Sequence, residues 1–218
     1  MKISQLSLFD EETDGYSIRQ IESKDTHWLL LNIHYAKRIP SISFAYGLFV
    51  DTELVGAVTY GKPASPALCR GICGESFSKD VLELNRLVLV NNKKNEASRL
   101  VAGSFRLLPK PKIIVSYADT AQGHEGIVYQ ATNFVYTGLS DRHKEWRVKG
   151  MEHLHSRALF HTANSVSELR IMYGDALYQV ERSRKHRYIM FLGNKKEKKA
   201  MMSNLKYQVL PYPKEIPV

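Results

Sequence analysis

The chain has 218 residues, of which 44% are hydrophobic, 24% charged and 10% aromatic, and its formal net charge is +9. This composition is typical of a globular chain with its own core, and it excludes a collagenous, fibrous or disordered protein. No apolar run approaches the roughly 18 residues of a membrane span, and the acidic N-terminus lacks the apolar stretch of a secretory signal. We therefore expect a cytoplasmic protein that does not cross a membrane.

The excess positive charge lies in the last third of the chain. Residues 1–140 carry 15 Lys and Arg against 14 Asp and Glu, whereas residues 141–218 carry 16 against 8. Such an asymmetry indicates a surface that meets a polyanion, for example a nucleic acid. A basic face that is simply well solvated is the alternative interpretation.

The first half of the chain predicts several strands and one helix. Alternating residues predict a strand at 16–22, and apolar residues at helical spacing predict a helix that begins behind Asp25 as its N-cap. The β-rich runs at residues 43–50 and 53–61 predict an antiparallel hairpin. The run VLELNRLVLV at residues 81–90 predicts a further strand.

Further along, strands and helices alternate as they do in βαβ units. An amphipathic helix is predicted at residues 96–108, where Pro109 ends it. The remaining predicted elements are strands at residues 112–118, 134–138 and 180–193 and helices at residues 124–133 and 165–173. The fold class predicted from this order is α/β (α+β).

We expect one domain, because at roughly 150 residues per domain the length corresponds to about one and a half domains. The domain is predicted over residues 16–192, between an N-terminal tail at 1–15 and a basic, proline-containing C-terminal tail at 193–218. The tail begins with a charge run and ends in PYPKEIPV, a sequence that predicts an extended chain.

The densest group of functional residue types is SYADTAQGHEGIVYQATNFVYTG, residues 116–138. Asp119 follows a predicted buried strand, at the carboxyl end where α/β proteins place ligands. Asp119, Thr120 and His124 precede a predicted helix whose free N–H groups favour an anion. The segment predicts catalysis or ligand contact, and a plain helix cap at Asp119 or Thr120 is the equal alternative.

This segment, together with ELNRL at 83–87, IHYAKRIPS at 33–41 and SRKHRY at 183–188, resembles the Mom family of bacteriophage DNA modification proteins. The resemblance implies a fold similar to the GNAT N-acetyltransferases, with a central mixed, largely antiparallel twisted sheet flanked by helices and a basic C-terminal extension. It also implies an enzyme that transfers a carbamoylmethyl (glycinamide-type) group to the exocyclic amine of adenine in DNA. That modification protects phage DNA from restriction endonucleases.

Carried over residue by residue, the resemblance implies catalytic roles for His34, Arg86, Asp119 and Tyr129, and also a bound iron ion. We expect Asp119 to act as a base or as a metal ligand with His34, since carboxylate and imidazole suit iron. Tyr129 can donate to a leaving group, and Arg86 presents a fork suited to phosphate or carboxylate. From residue types alone, an ordinary helix-face histidine and a strand-surface arginine would be the favoured interpretation.

The resemblance also implies acetyl-CoA as the group donor, with Tyr117 and Thr120 at the cofactor site. The chain departs from the GNAT pattern, however, because the interval expected to cradle the pyrophosphate contains no glycine before Gly103. Lys93 and Lys94, beside the N-terminus of the following helix, are then the expected anion contacts. This departure puts coenzyme A as the donor in doubt.

The product raises a second difficulty for acetyl-CoA. Simple acetyl transfer would give an acetamide, whereas the carbamoylmethyl group contains an additional nitrogen. A glycyl group contains the required atoms, so glycyl-tRNA is the alternative donor, with a rearrangement after transfer. A tRNA is then a second nucleic-acid partner beside double-stranded DNA.

The basic segment at residues 181–193 and the charge run at 194–199 are the expected contacts with the phosphate backbone. An adenine inside a duplex is reached only by base flipping, and an aromatic residue such as Tyr35, Tyr46 or Tyr117 is expected to stack on it. The residues predicted to bind nucleic acid are Arg184, Lys185, His186 and Arg187.

Two other functions stay open at this stage. One is an N-acyltransferase that uses an acyl-CoA or an aminoacyl-tRNA to modify another amine. The other is a non-catalytic nucleic-acid-binding protein that relies on the basic C-terminal third. The sequence gives no oligomeric state.

Overall fold

A computed structural model describes residues 15–152, 154, 159–160 and 162–213. These residues fall into two compact units. The larger unit contains the described residues up to Tyr117 together with 126–138 and those from Arg187 onward, and the smaller unit contains 118–125 and the described residues of 139–186. The predicted N-terminal tail lies outside the described residues except for Gly15, as do the last five residues of the predicted C-terminal tail.

The main sheet has seven strands in the order β1-β2-β3-β4-β5-β9-β6. Its first four strands form an antiparallel meander, which includes the predicted hairpin. The mixed, largely antiparallel architecture implied by the resemblance is confirmed. The strands are β1 Tyr16–Gln20, β2 Phe44–Val50, β3 Glu53–Gly61, β4 Val81–Leu89, β5 Lys112–Asp119, β6 Val135–Leu139 and β9 Lys185–Leu192.

Strands β4 and β5 are parallel and are paired over only part of their length. The register runs from Val81 opposite Ile113 to Leu84 opposite Ser116, although β4 continues to Leu89. A β-bulge interrupts the pairing of β4 with β3 beside the same point. Bulges redirect side chains and often accompany functional sites, so functional residues are expected at this end of the paired region.

Four helices belong to the larger unit: α1 Pro66–Cys73, α2 Glu96–Leu107, α3 Ile127–Ala131 and α5 Lys195–Ser203. Helix α2 matches its prediction, and α3 is shorter than predicted. Helix α1 was not predicted; Ser65 caps it, and the buried Cys69, Ile72 and Cys73 lie on it. The charge run at the start of the predicted C-terminal tail lies in helix α5, which was not predicted.

The helix predicted behind Asp25 differs from the observed structure. A 3-10 turn at Ser23–Thr26 leads into a π-helical turn at Leu29–Ile33. The N-cap is Glu22, and the side chain of Asp25 accepts from the backbone N–H of Glu22 at 3.1 Å in a capping box. Asp25 as N-cap is wrong because the capping box places it at the third helical position.

The core of the larger unit shows why residues after 193 are ordered. Met201 of α5 is buried against Ile113, Ile189 and Phe191 of the sheet. Burial of a methionine side chain stabilises a fold by roughly 1.5–3 kcal/mol, and the capping box of Asn194 and Glu197 satisfies the first turn of the helix. Sequence patterning missed α5 because its apolar residues are few among the lysines.

The smaller unit contains a two-stranded antiparallel sheet of β7 Lys144–Val148 and β8 Leu177–Glu181, and helix α4 Val166–Tyr173. Val148, Leu159, Ala163 and Leu169 form its core. Helix α4 agrees with the helix predicted at residues 165–173, and Ser165 is its N-cap. The strand predicted over residues 180–193 is instead the end of β8 and the whole of β9, separated by residues 182–184, which belong to no strand. Among the described residues, no helix is long and apolar enough to cross a membrane.

Candidate active site

A group of polar side chains in the larger unit surrounds the point where the pairing of β4 and β5 ends. There the hydroxyl of Ser116 donates to the carbonyl of Leu84 at 3.0 Å. Strands β2, β3 and β4 and helix α3 each contribute residues, and electrostatic interactions link those residues to one another. We call this group the tyrosine–arginine cluster, and its members are Tyr46, Tyr60, Glu83, Arg86 and Tyr129.

Tyr129 is buried and remains a neutral hydrogen-bond donor. Burial raises the pKa of Tyr129 to about 12, while a hydrogen bond with Ser116 acts in the opposite direction. The negative charge of Glu83 raises this pKa further. A phenol of this kind donates a hydrogen bond to a developing negative charge without losing its proton near neutral pH.

Arg86 lies on β4 opposite Thr59 and is not fully hydrogen-bonded. One terminal nitrogen donates to the carbonyl of Asn85, but the buried Nε has no partner among the described residues. Burial lowers the pKa of Arg86, and the nearby positive charge of Arg38 lowers it further, against the opposing effect of Glu83. The guanidinium groups of Arg86 and Arg38 repel each other, and the buried Nε of Arg86 still needs an acceptor. Both features favour the binding of an anion or a carbonyl oxygen.

Tyr46 and Tyr60 complete the cluster on the side of β2 and β3. Their rings meet edge to face with centroids 6.1 Å apart. Tyr60 bonds to Ser104 at 2.6 Å, and Ser104 in turn donates to the carbonyl of Val101. The hydroxyl of Tyr46, which is 0% exposed, has no partner among the described residues. A buried polar atom without a partner costs about 1–3 kcal/mol, so its retention calls for a functional explanation.

His34 lies at the end of the helical turn rather than within a helix, in an extended backbone conformation. Its Nδ1 accepts the backbone N–H of Ala36 at 3.0 Å, and its ring stacks on Tyr35 at 4.5 Å between centroids. Tyr35 contributes electrostatically to both Arg86 and Tyr129. Three of the four predicted catalytic residues, His34, Arg86 and Tyr129, therefore belong to the larger unit.

Asp119, the fourth, belongs to the smaller unit, where its carboxylate is held by three donors. One oxygen accepts from the hydroxyl of Ser183 at 2.7 Å and from the backbone N–H of Ala121 at 3.0 Å. The other oxygen pairs with the ammonium of Lys185 at 2.8 Å. We call these four residues the Asp119 clamp. The predicted helix cap is therefore present, on the 3-10 turn Thr120–Gln122.

The clamp keeps Asp119 ionised. Burial alone would raise the pKa of Asp119, but the hydrogen bonds from Lys185, Ser183 and Ala121 outweigh it and hold the pKa below its usual value. A carboxylate with a lowered pKa is a weak base, so the geometry favours a fixed negative charge over a proton acceptor. Thr120 is also engaged, since its hydroxyl donates to the carbonyl of Arg184 at 2.7 Å.

The described residues do not fit the iron centre that the resemblance implies. No group of three or more His, Cys, Asp or Glu side chains within the described part of the chain could hold a metal ion. The carboxylate of Asp119 is already occupied by its clamp partners, and Nδ1 of His34 is occupied by Ala36. We therefore derive no step through a metal.

A carboxylate of the protein itself lies beside the expected pyrophosphate site, because Glu96, the first residue of α2, bonds to the loop that precedes the helix. The buried carboxylate of Glu96 accepts from the backbone N–H of Lys93 and from the hydroxyl of Tyr16, both at 2.8 Å. Lys93 and Lys94 are exposed beside it. Tyr117, also predicted at the cofactor site, is half-buried and packs against the core. An incoming phosphate would have to compete with the carboxylate of Glu96.

Most of the residues predicted to bind nucleic acid instead form hydrogen bonds or ion pairs within the protein. Arg184 donates to the carbonyl of Ser140 at 2.7 Å, and Lys185 belongs to the Asp119 clamp. Arg187 donates to Thr137 and lies over the ring of Tyr207 at 3.5 Å. Burial lowers the pKa of His186, with an opposing effect of Glu125. These contacts leave few free donors for phosphate in the segment.

The sequence did not predict Glu83 as a member of the cluster, nor Ser116 as a hydrogen-bond partner of its Tyr129. Both lie in motifs that had been quoted for the resemblance, ELNRL and SYADT. The signal that could have found them is the pairing of the two strands, because the register brings Leu84 opposite Ser116. Tyr46 was predicted to stack on a base, but its complete burial excludes that role in the observed conformation.

Comparison with known proteins gives one family match and several structural resemblances. A sequence model of the Mom protein family matches residues 15–214. The methylcarbamoylase mom of Escherichia phage Mu is 26% identical over 226 residues, which cover 94% of this chain and 89% of the phage protein. The family match thus spans nearly the whole chain.

The structural resemblances are to acetyltransferases. The ribosomal-protein-S5-alanine acetyltransferase from Vibrio fischeri is 13% identical with a TM-score of 0.47, covering 84% of this chain and 96% of that one. An acetyltransferase from Bacillus subtilis in complex with CoA is 13% identical with a TM-score of 0.46, covering 82% and 99%.

Proposed function

Because the chain belongs to the Mom protein family, we propose that it is a DNA modification enzyme that transfers a carbamoylmethyl group to the exocyclic amine of adenine. The observation that carries the proposal is the tyrosine–arginine cluster, in which two buried donors, on Tyr46 and Arg86, lack partners within the described part of the chain. The name of the phage relative, a methylcarbamoylase, agrees with the group transferred. Protection of phage DNA from restriction follows from the proposed product.

The cluster supplies the electrostatics that group transfer from an ester or thioester donor requires. The carbonyl oxygen of the donor gains negative charge as the amine attacks, and preorganised donors stabilise that charge. Nε of Arg86 and the hydroxyl of Tyr46 are two donors that no described residue uses. Both are buried, so the donor's carbonyl oxygen reaches them only when the side chains that cover them move aside. Tyr129 is neutral near pH 7 and donates to the same charge or to the leaving group.

The adenine amine is a poor nucleophile because its lone pair is delocalised into the ring, so a proton acceptor is needed. Asp119 suits this role poorly, because its clamp holds it ionised with a lowered pKa. Glu83 carries a negative charge that acts on both Arg86 and Tyr129, and it is only partly buried. We therefore assign the proton acceptor to Glu83 and a fixed charge to Asp119.

The donor proposed here is a glycyl ester, that of glycyl-tRNA, rather than acetyl-CoA. A glycyl group contains the two carbons, the oxygen and the nitrogen of the carbamoylmethyl product, whereas an acetyl group lacks the nitrogen. The carboxylate of Glu96 at the N-terminus of α2 also disfavours a bound pyrophosphate, because like charges repel there. Attack by the adenine amine on the carbonyl carbon of the glycyl ester forms an amide and releases the hydroxyl of tRNA. Isomerisation then breaks the bond from N6 to the carbonyl carbon and the bond from the CH2 carbon to the glycyl nitrogen. It forms a bond from N6 to the CH2 carbon and a bond from the carbonyl carbon to the glycyl nitrogen, with no change of net oxidation state.

The modification itself is tested by mass spectrometry of nucleosides from plasmid DNA. Bacteria express the wild type, Asp119→Ala, Glu83→Gln or, as a surface control in the smaller unit, Asp175→Asn. We expect a heavier deoxyadenosine with the wild type and the control and little or none with Glu83→Gln, whereas Asp119→Ala should reduce the amount only as far as it lowers the folded fraction. Unmodified adenine in every sample would contradict the proposed function.

The donor is tested with purified protein and isotope-labelled substrates. Duplex DNA is incubated with glycyl-tRNA labelled in the glycine, or with acetyl-CoA labelled in the acetyl group. Label from glycine in the modified nucleoside supports the proposed donor. Label from acetyl-CoA with none from glycine would contradict it, and the mass of the product would then identify an acetyl group.

A further inference from the structure

A groove of about 660 Å³ opens on the larger unit, and none of the five residues of the tyrosine–arginine cluster lines it. Four pieces of the chain form its walls: the end of α2 with the loop after it, the turn after α3 with the start of β6, the last half of β9 and the helix α5. A volume of this size lies within the roughly 300–1,000 Å³ that binding pockets have. Nothing in the proposed chemistry uses this groove.

The floor of the groove is apolar. Phe105, Val135 and Met190 line it from three different elements, and Met202 lines it from α5. Met202 is 42% exposed, whereas its neighbour Met201 is buried in the core. Exposure of an apolar floor to water is unfavourable in proportion to its area. A ligand with a flat apolar face therefore gains binding free energy by covering it.

The rim of the groove is strongly positive. Arg106 and Lys110 line one wall, and Lys198 and Lys199 line the other. All four are exposed, and none forms an ion pair with a described carboxylate. No Asp or Glu is among the described residues of the lining. The nearby carboxylate of Glu197 is occupied by the backbone N–H of Asn194 at 2.7 Å.

Cations above an apolar floor match the chemistry of unpaired nucleotides. Phosphates neutralise the four positive charges, and base faces cover the floor, as in single-strand binding channels. A duplex would present phosphates but keep its bases inside the stack, so it would leave the floor uncovered. An isolated phosphate or an acidic peptide would also leave the floor exposed.

We propose that this groove binds an unpaired stretch of the DNA substrate. The inference rests on the proposed function, because flipping leaves the adenine and its former partner unpaired, and bases that leave the stack can cover the floor. DNA is favoured over the acceptor end of a tRNA, since that end has to lie at the cluster to deliver its glycyl group. The groove then replaces the segment 184–187 as the main contact with the DNA backbone.

Two charge-neutralising variants on opposite walls test the groove, with a matched control on the same helix. Lys198→Gln/Lys199→Gln and Arg106→Gln/Lys110→Gln each remove two rim charges. Lys195→Gln/Lys196→Gln removes two exposed charges of α5 that do not line the groove. Affinity for short labelled single-stranded DNA, duplex DNA and single-stranded RNA of the same sequence is measured by fluorescence anisotropy at several salt concentrations.

We expect both rim variants to bind single-stranded DNA about tenfold more weakly than the wild type, and the control to keep wild-type affinity. The slope of log affinity against log salt should fall in magnitude by about 1.4 for each rim variant, about 0.7 for each lost contact with a single strand. Met202→Glu, which keeps the rim charges but places a carboxylate at the floor, should weaken single-stranded binding at least as much.

Three results would overturn the proposal: equal affinities of the rim variants and the control, a rim effect on duplex DNA alone, or a rim effect on RNA alone. Nucleoside mass spectrometry of the same variants separates this failure from that of the proposed function. An inactive wild type contradicts the function, whereas an active wild type with unchanged DNA binding in the rim variants contradicts only the groove. Unchanged melting temperatures show that the variants are folded.

Discussion

The tyrosine–arginine cluster and the Asp119 clamp are both groups of polar side chains, but their hydrogen bonding differs. In the cluster, the hydroxyl of Tyr46 and Nε of Arg86 are buried without a partner among the described residues. In the clamp, Asp119 is bonded to Ser183, Ala121 and Lys185. Polar groups bonded within the protein stabilise it, whereas unpaired buried donors are costly unless a ligand completes them. The difference assigns ligand binding to the cluster and stability to the clamp.

The largest effect on activity is expected at Arg86. Arg86→Lys keeps a positive charge but removes the planar fork, so we expect the rate of DNA modification to fall by about 10²–10³-fold, as for a lost oxyanion donor. The rate is measured by mass spectrometry of nucleosides. Arg70→Lys, an exposed change on α1, is the matched control and should keep wild-type activity. Equal rates in both variants would contradict the assignment of ligand binding to the cluster.

Tyr129→Phe removes the donor hydroxyl and leaves the ring in place, and we expect a loss of about 10²-fold. Because the pKa of Tyr129 is raised to about 12, the hydroxyl stays protonated across the usual pH range. The pH–rate profile of the wild type should therefore show no step from Tyr129 below about pH 11. A step near pH 8–10 that disappears in Tyr129→Phe would contradict a neutral donor.

Substitutions in the Asp119 clamp should mainly lower the free energy of unfolding. Asp119→Asn removes a charged acceptor of three donors, and we expect the free energy of unfolding at pH 7 to fall by about 1.5–3 kcal/mol. Ser183→Ala removes one donor and should cost about 1 kcal/mol while the carboxylate and its charge remain. Denaturant unfolding measures both. If Ser183→Ala abolished modification without lowering stability, the clamp would be part of the chemistry instead.

The stabilising effect of Asp119 depends on pH. Its pKa is lower in the folded state than the unperturbed 3.8, so the folded state binds the proton less well than the unfolded state. The contribution is therefore complete above about pH 4–5 and is lost as the pH falls through the folded-state pKa. The stability difference between wild type and Asp119→Asn should shrink in that acidic range. A difference that is constant from pH 7 to pH 2 would contradict the clamp.

Much of the fold was predictable from the sequence. Alternation and helical spacing gave the hairpin β2–β3, strands β4 and β5 and helix α2, because these elements carry regular apolar patterns. Helix α5 was missed, since its stretch Lys195–Ser203 begins with the charge run KKEKK and its stability comes from Met201 and the capping box. Strand β7 was also missed, because its apolar face meets only the small core around Val148.

The candidate site was less predictable. The resemblance named His34, Arg86, Asp119 and Tyr129, but residue types alone could not separate paired from unpaired groups. Whether a carboxylate such as Asp119 is clamped depends on Ser183 and Lys185, which are 64 and 66 positions away in the sequence. Likewise, the basic segment 184–187 predicted nucleic-acid contacts, and only the tertiary structure shows that Arg187 is bonded to Thr137.

Tyr46→Phe tests the central claim most directly, because it deletes only the unpaired buried hydroxyl. Thermal or denaturant unfolding and nucleoside mass spectrometry are carried out on the same preparation and strain. The account predicts stability that is unchanged or raised by up to about 1 kcal/mol, together with modification reduced by about tenfold. A fall in stability with proportional loss of modification, or wild-type modification at wild-type stability, would contradict the assignment of the cluster to ligand binding.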